Sequence, residues 1–381
     1  MALQLAARGH EAWSAELQAG AAGARRQSAA DRSLALRLNS NENPLGPSPA
    51  ARAAIEQAFA HAGRYPMNAA PSADDFRALV AREHRIDVSA IALGAGSGEI
   101  LESAVLAFTS PARALVSALP TFEAPARTAK QRGVPVRDVL VDAAGKLDLD
   151  GMVAAAAGAG LVFICNPNNP TATVHSAGAI SDAVARIRRA SPDTVILIDE
   201  AYHDYVIDSS YASAIPLVRG NANVLVSRTL SKLHGMAGLR LGYVIGQPDT
   251  VGRLAAWTMP FNGNVLALAA ACASLKDAQQ IVRERRCNIE ALKFATDLFR
   301  GMGFATTESQ ANFMWVDLQR SAKDFRDACE QQGVLVGRLF APFDKTHCRI
   351  SIGTIDEMRR AAGVFRSVLG GIRDPGPGIR N

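Results

Sequence analysis

The chain has 381 residues, 48% of them apolar and 20% charged, with a formal net charge of +5. That length exceeds a single small core and predicts two domains of a globular protein. So small a charge, without a cationic block, argues against a nucleic-acid partner; the nearest basic run, Arg283-Glu284-Arg285-Arg286, is broken by an acid and reads as the solvated face of a helix.

Residues 1–37, rich in Ala, Gly and Arg, read as an N-terminal extension without a full apolar stretch before a cleavage site. A cytoplasmic protein is expected, with periplasmic export of a longer precursor as the alternative. Leu38 to Pro49 is broken by proline and glycine and must be extended or looped. From about 50 to 250, helical stretches alternate with short apolar runs. Leu93-Gly94-Ala95-Gly96-Ser97-Gly98 is a glycine-rich turn opening a helix, whose amides would suit a phosphate. It is not a dinucleotide fingerprint, because position 99 is Glu where that pattern needs Gly. The runs 161–164, 195–198 and 224–226 suit strands buried on both faces. They end in Cys165-Asn166-Pro167-Asn168, Asp199-Glu200 and Ser227-Arg228-Thr229, where ligands of open α/β sheets lie.

Around 260 the texture changes to a long helical stretch, roughly 263–300, then strands near 312–317, 334–336 and 348–352. The expected fold is α/β: a large domain, 50–255, with a mostly parallel central sheet flanked by helices, and a smaller α+β domain from 38–49 and 256–381. No apolar run approaches the roughly 18–20 residues that span a bilayer, so no membrane partner is expected. Cys165, Cys272, Cys287, Cys329 and Cys348 are scattered, which suggests reduced, mostly buried thiols and no metal.

Lys232 closes Ser227-Arg228-Thr229-Leu230-Ser231-Lys232 after a predicted strand, and Arg240 follows within Ala237-Gly238-Leu239-Arg240-Leu241-Gly242. A lone loop lysine is usually a solvated charge; here its surroundings point elsewhere. With Asp199-Glu200-Ala201-Tyr202 and Asn166-Pro167-Asn168-Asn169-Pro170-Thr171 in order upstream, the chain resembles the class I/II aminotransferases of fold type I, and among them the histidinol-phosphate aminotransferase branch. The resemblance runs from about Arg37 to about residue 368.

The resemblance implies pyridoxal 5′-phosphate as cofactor, with Lys232 holding its aldehyde and moving the substrate proton. Asp199 would pair with the ring nitrogen, and Tyr202 and Asn169 would donate to the phenolic oxygen. Ser97, Gly98, Thr229, Ser231 and Arg240 would hold the phosphate, and Phe122 would stack on the ring. Arg349 would clamp the substrate carboxylate, with Asn312 and Asn43 beside it. Tyr65 would reach the neighbouring subunit's phosphate, implying a homodimer. The partners implied are a small-molecule amino donor and a 2-oxo acid acceptor.

Several positions depart from the family pattern. Gly98 stands where many relatives carry an acid, and Ala172 where the Asn-Pro-Thr turn usually ends in glycine. Asp317 replaces an arginine, and the arginine expected after Val334-Leu335-Val336 is displaced to Arg338, beyond Gly337, which would turn it to the other face. Rival readings are a decarboxylase or lyase on the same cofactor, of the threonine-phosphate decarboxylase type, and a cofactor-binding protein without turnover. A nicotinamide dehydrogenase leaves Lys232 unexplained.

Overall fold

The computed structural model describes residues 35–371. Residues 1–34 of the expected N-terminal extension, and the tail after 371, lie outside the described residues. The first strand, β1 (Leu36–Leu38), is followed by β2 (Ile91–Gly94), β3 (Leu115–Leu119), β4 (Val136–Leu140), β5 (Leu161–Cys165), β6 (Val195–Asp199), β7 (Val224–Thr229) and β8 (Gly242–Ile245). The last seven form one sheet in the order β2-β8-β7-β6-β5-β3-β4, in which β8 runs antiparallel to both neighbours and the other pairs are parallel.

Alternation explains the double burial. Val162, Ile164, Ile196 and Ile198 pack on one face with Phe76 and Val80. Leu161, Phe163, Val195 and Leu197 pack on the other with Ile100 and Leu101. A sheet covered by helices on both sides needs such continuous apolar strands. Register sets Cys165 beside Asp199 and Asp199 beside Ser227, so three polar strand ends meet at one edge.

The smaller unit holds β9 (Ala305–Thr306), β10 (Phe313–Asp317), β11 (Val334–Val336) and β12 (His347–Ser351). β10 lies antiparallel between β9 and β12, while β1 pairs in parallel with β11. That pairing starts residues 39–48 on the smaller unit and leads them across to the helix Pro49–Ala58.

The helical stretch expected over 263–300 is two helices, Val265–Lys276 and Ala278–Gly301, meeting at 86°. Asp277 makes the break, its carboxylate accepting from the Gln280 amide at 3.1 Å. The first helix places Ala267, Leu268, Ala270 and Ala271 in the core with Phe76, whereas the second gives Ala291, Ala295 and Phe299 to the smaller core with Phe325 and Phe365. In packing terms the chain changes unit near Asp277, not at 256.

The basic run on the second helix is also less solvated than expected. Glu284 is buried and accepts from Asn43 Nδ2 at 3.1 Å, and Arg285 Nε donates to the Asp204 carbonyl at 2.7 Å. Tyr202, Leu233, Ala311 and Phe313 form a small cluster joining the two units.

Candidate active site

Asp199 ends β6 buried, and its Oδ1 accepts from Ser227 Oγ at 2.7 Å. Burial pushes its carboxyl up to about 6, against the opposing pull of Ser227 and the Lys232 charge. Glu200, one residue on, serves another purpose: its Oε2 accepts from Arg228 Nε and Nη2 at 3.0 and 2.9 Å. Tyr202 then brings its hydroxyl back toward the site, where it accepts from Asn41 Nδ2 at 3.0 Å and keeps its own proton to donate. Burial raises its pKa well above the ordinary phenol value, so it holds that proton.

After β5, Asn169 Oδ1 accepts from Arg349 Nη1 at 2.8 Å, leaving the amide N–H groups of the side chain free. Ala172 holds φ +62°, the left-handed conformation that glycine adopts freely, and its amide donates to the Asn168 carbonyl at 2.8 Å. The turn therefore keeps a glycine-like shape despite the alanine.

Lys232 follows the hydroxyl pair Thr229 and Ser231, whose oxygens lie 2.9 Å apart. Its Nζ donates to the main-chain carbonyls of Asn41 and Ser40 at 3.2 and 3.4 Å. The residue is partly open to the cavity, yet its amine is desolvated. That desolvation, helped by the Arg349 charge and opposed by Glu42 and Asp199, brings it down to about 8.

Arg240 donates to the carbonyls of Ala95 and Ala237 at 2.9 and 3.0 Å. Gly96, at φ +79°, passes so close that a Cβ there would collide with the guanidinium. Ser97 and Gly98 open the helix Ser97–Phe108, and the space beside Gly98 is empty within 4 Å. Arg349, on β12, is buried; Nη2 donates to the Asn39 carbonyl at 2.6 Å and Nε has no partner. Burial brings this guanidinium down to about 10.

These groups enclose a cavity of about 290 Å³. It unites Ser97, Gly98, Phe122, Asn169, Asp199, Tyr202, Thr229, Ser231, Lys232, Arg240 and Arg349, all expected from sequence. Three expected residues lie elsewhere. Asn43 Nδ2 donates to the Leu233 carbonyl at 2.7 Å, and the residue lines a neighbouring cavity of about 230 Å³. Asn312 Nδ2 donates to the carbonyls of Asn41 and Glu42 at 3.0 and 3.2 Å, so it holds the segment that roofs the site. Tyr65 is 72% exposed, with its ring 5.4 Å from that of Phe261, and does not line the cavity.

The family model for aminotransferase class I and II matches residues 35–365. The chain belongs to the class I and II aminotransferases. A histidinol-phosphate aminotransferase of Symbiobacterium thermophilum is 36% identical over 88% of this chain and 91% of its own length. An aromatic amino acid aminotransferase of Thermobifida fusca is 35% identical over 84% and 87% respectively. The histidinol-phosphate aminotransferase of Sinorhizobium meliloti, solved in complex with pyridoxal-5′-phosphate, shares the fold at a TM-score of 0.82, with 23% identity, over 92% of this chain and 100% of that one.

The chain is thus a pyridoxal-phosphate-dependent aminotransferase, and its residues fit that cofactor. Asp199 is a desolvated carboxylate awaiting a cationic donor, Lys232 an amine hydrogen-bonded among the described residues to carbonyls alone, and the helix start at Ser97 an open set of amides.

The aminotransferase cavity also contains residues the sequence reading passed over. Asn39, Ser40 and Asn41 line it, because β1 hands the chain from the smaller unit to the site. The Asn41-Glu42-Asn43 run was the available signal, but its first asparagine, at φ +53°, is the one turned inward. Arg338 lines the cavity as well, contrary to the expected flip. β11 ends at Val336, so strand alternation no longer applies, and Gly337 packs where a Cβ would meet the Arg349 carbonyl. Arg338 pairs with Glu123.

Proposed function

We propose that the amino donor is histidinol phosphate or a closely similar amine, that a 2-oxo acid is the acceptor, and that the active unit is a homodimer. One observation carries the donor assignment. Arg349 is a buried guanidinium that among the described residues is bonded only to a neutral amide and a main-chain carbonyl, with Nε unpartnered. A buried cation lacking an anion is costly, so an anionic group of the substrate belongs there. Arg338 adds a second guanidinium to the same cavity, which suits a phosphate monoester better than a single carboxylate. An aromatic amino acid is the second reading, favoured by the Thermobifida fusca relative.

When bound, pyridoxal phosphate supplies an aldehyde for the amine and a ring that spreads the negative charge left at Cα. Asp199, held by Ser227, is placed to keep a proton on the ring nitrogen. Tyr202 and Asn169 retain free donors for the phenolic oxygen, and Ser97, Gly98, Thr229, Ser231 and Arg240 surround the phosphate position. Lys232, with its amine near 8, would take the Cα proton and deliver it to the carbon on the far side of the amine nitrogen, the former aldehyde carbon. Arg349 orients the donor while that transfer occurs. Tyr65 faces outward and is suited to complete a partner's site.

The holoenzyme should bleach its cofactor absorbance with histidinol phosphate at a kcat/KM above that for histidine, phenylalanine or tyrosine, with 2-oxoglutarate restoring it. An aromatic donor ahead by tenfold would install the second reading, and carbon dioxide release would install the decarboxylase. Sedimentation should give twice the chain mass; Tyr65→Phe should loosen the cofactor without changing that mass.

A further inference from the structure

The cavity mouth carries an ion pair that the reaction as described leaves unused. Glu123 follows Phe122 and precedes the helix Ala124–Gln131 of the larger unit, while Arg338 follows β11 in the smaller. Their side chains meet where Arg338 lines the cavity, and both are about half exposed. The Arg338 guanidinium lies over the Phe340 ring, 4.7 Å from its centroid, and the Arg349 guanidinium lies 5.2 Å from the same centroid. Two cations thus flank one ring, and of these two only Arg338 carries a carboxylate.

We propose that Glu123 is a specificity-determining residue. It neutralises Arg338 while the substrate brings one negative charge, and releases Arg338 when the substrate brings a second. The second charge is that of another carboxylate or of a phosphate monoester. The inference rests on the reading that Arg349 seats the substrate's anionic head.

Relative magnitudes support the exchange. An exposed pair is weak, because water screens it and two long side chains must be ordered to make it. A substrate already fixed on Arg349 meets Arg338 with its own freedom largely lost, so its anion competes well. Aminotransfer also requires one cavity to admit two different substrates in turn. An apolar residue at the mouth would leave the second charge of the doubly charged one without a partner. A displaceable pair accommodates both.

The test is calorimetric titration of the cofactor-loaded protein with unreactive acids. Glutarate and its monoamide glutaramate differ by one carboxylate charge; propyl phosphate and butyrate compare a dianionic head with a monoanionic one. Glu123→Gln should tighten the doubly charged ligands about five-fold, the scale of an exposed pair, and leave the singly charged ones unchanged. Arg338→Met should loosen the doubly charged ligands by a similar factor. Whichever of glutarate and propyl phosphate responds identifies the source of the second charge. Equal changes in all four ligands, or none, in Glu123→Gln would overturn the proposal. Arg349→Gln separates the two levels: if glutaramate and butyrate bind it as they bind wild type, the head-group reading itself fails.

Discussion

Two glutamate–arginine pairs frame this site, made of the same groups in different surroundings. Glu200–Arg228 lies beneath the floor, with its side chains 2% and 10% exposed. Two guanidinium N–H groups reach one carboxylate oxygen, and Ser213 Oγ and the Ala214 amide also donate to that carboxylate, at 2.8 and 2.6 Å. Glu123–Arg338 spans the mouth at 48% and 50% exposure. In low dielectric, breaking a pair strands a charge, so the inner one is a fixture that ties the ends of β6 and β7 together and with them Asp199 and Ser227. In water the same pair can be exchanged for another partner. The part of the site that must stay the same through both half-reactions is sealed, and the part that must adapt to each substrate is wet.

The floor can be broken most severely at Lys232. Lys232→Ala should lower turnover about 10³-fold or more, and borohydride reduction followed by peptide mapping should no longer label the chain. A label on another lysine in wild type would remove the assignment of the floor altogether. Arg228→Met should come next, because it leaves Glu200 buried without its cation. Its unfolding free energy should fall by about 3 kcal/mol or more, read from denaturant curves of the holoprotein, with Arg228→Lys in between. If Arg228→Met unfolds like wild type, the inner pair is no fixture.

A smaller effect sharpens the electrostatics. In the proposed role only the neutral amine of Lys232 would attack the cofactor aldehyde, and its position near 8 rather than 10.5 means that it loses its proton earlier than an ordinary lysine. The rate of cofactor capture by the cofactor-free protein should therefore rise with pH through about 8. Arg349→Gln removes a positive charge that depresses Lys232, so the midpoint should move upward in that variant; a fixed midpoint would mean burial alone sets it.

The floor was legible in the sequence because its residues come in contiguous runs at strand ends. Asp199 with Tyr202, Asn169 in its proline-flanked turn, and Ser231 with Lys232 each carry their neighbours with them. The seven-stranded sheet was legible for a related reason, since continuous apolar runs such as 195–198 suit a strand buried on both faces. The mouth was not. Glu123 and Arg338 meet from distant positions, Asn39–Asn41 arrive through the β1–β11 pairing, and Gly337 turns Arg338 inward where strand alternation would send it out. The bend at Asp277 was hidden by helix-forming residues on both sides, and only a cap contact reveals it.

The smallest effect completes the contrast between the two pairs. Glu123→Gln and Arg338→Met should each change the unfolding free energy by less than about 1 kcal/mol, well below the cost at Arg228. The two should not be equal. Glu123 sits at the start of the helix Ala124–Gln131, where a negative charge also interacts with the helix dipole. Its neutralisation therefore removes the pair and that dipole interaction, whereas the arginine variant removes the pair and the contact with the Phe340 ring. Added salt should shrink both differences, because screening acts on exposed charges and barely reaches the floor. Should Glu123→Gln destabilise the protein as much as Arg228→Met does, the mouth pair would be a clasp between the two units, and exchange with a substrate anion would be ruled out.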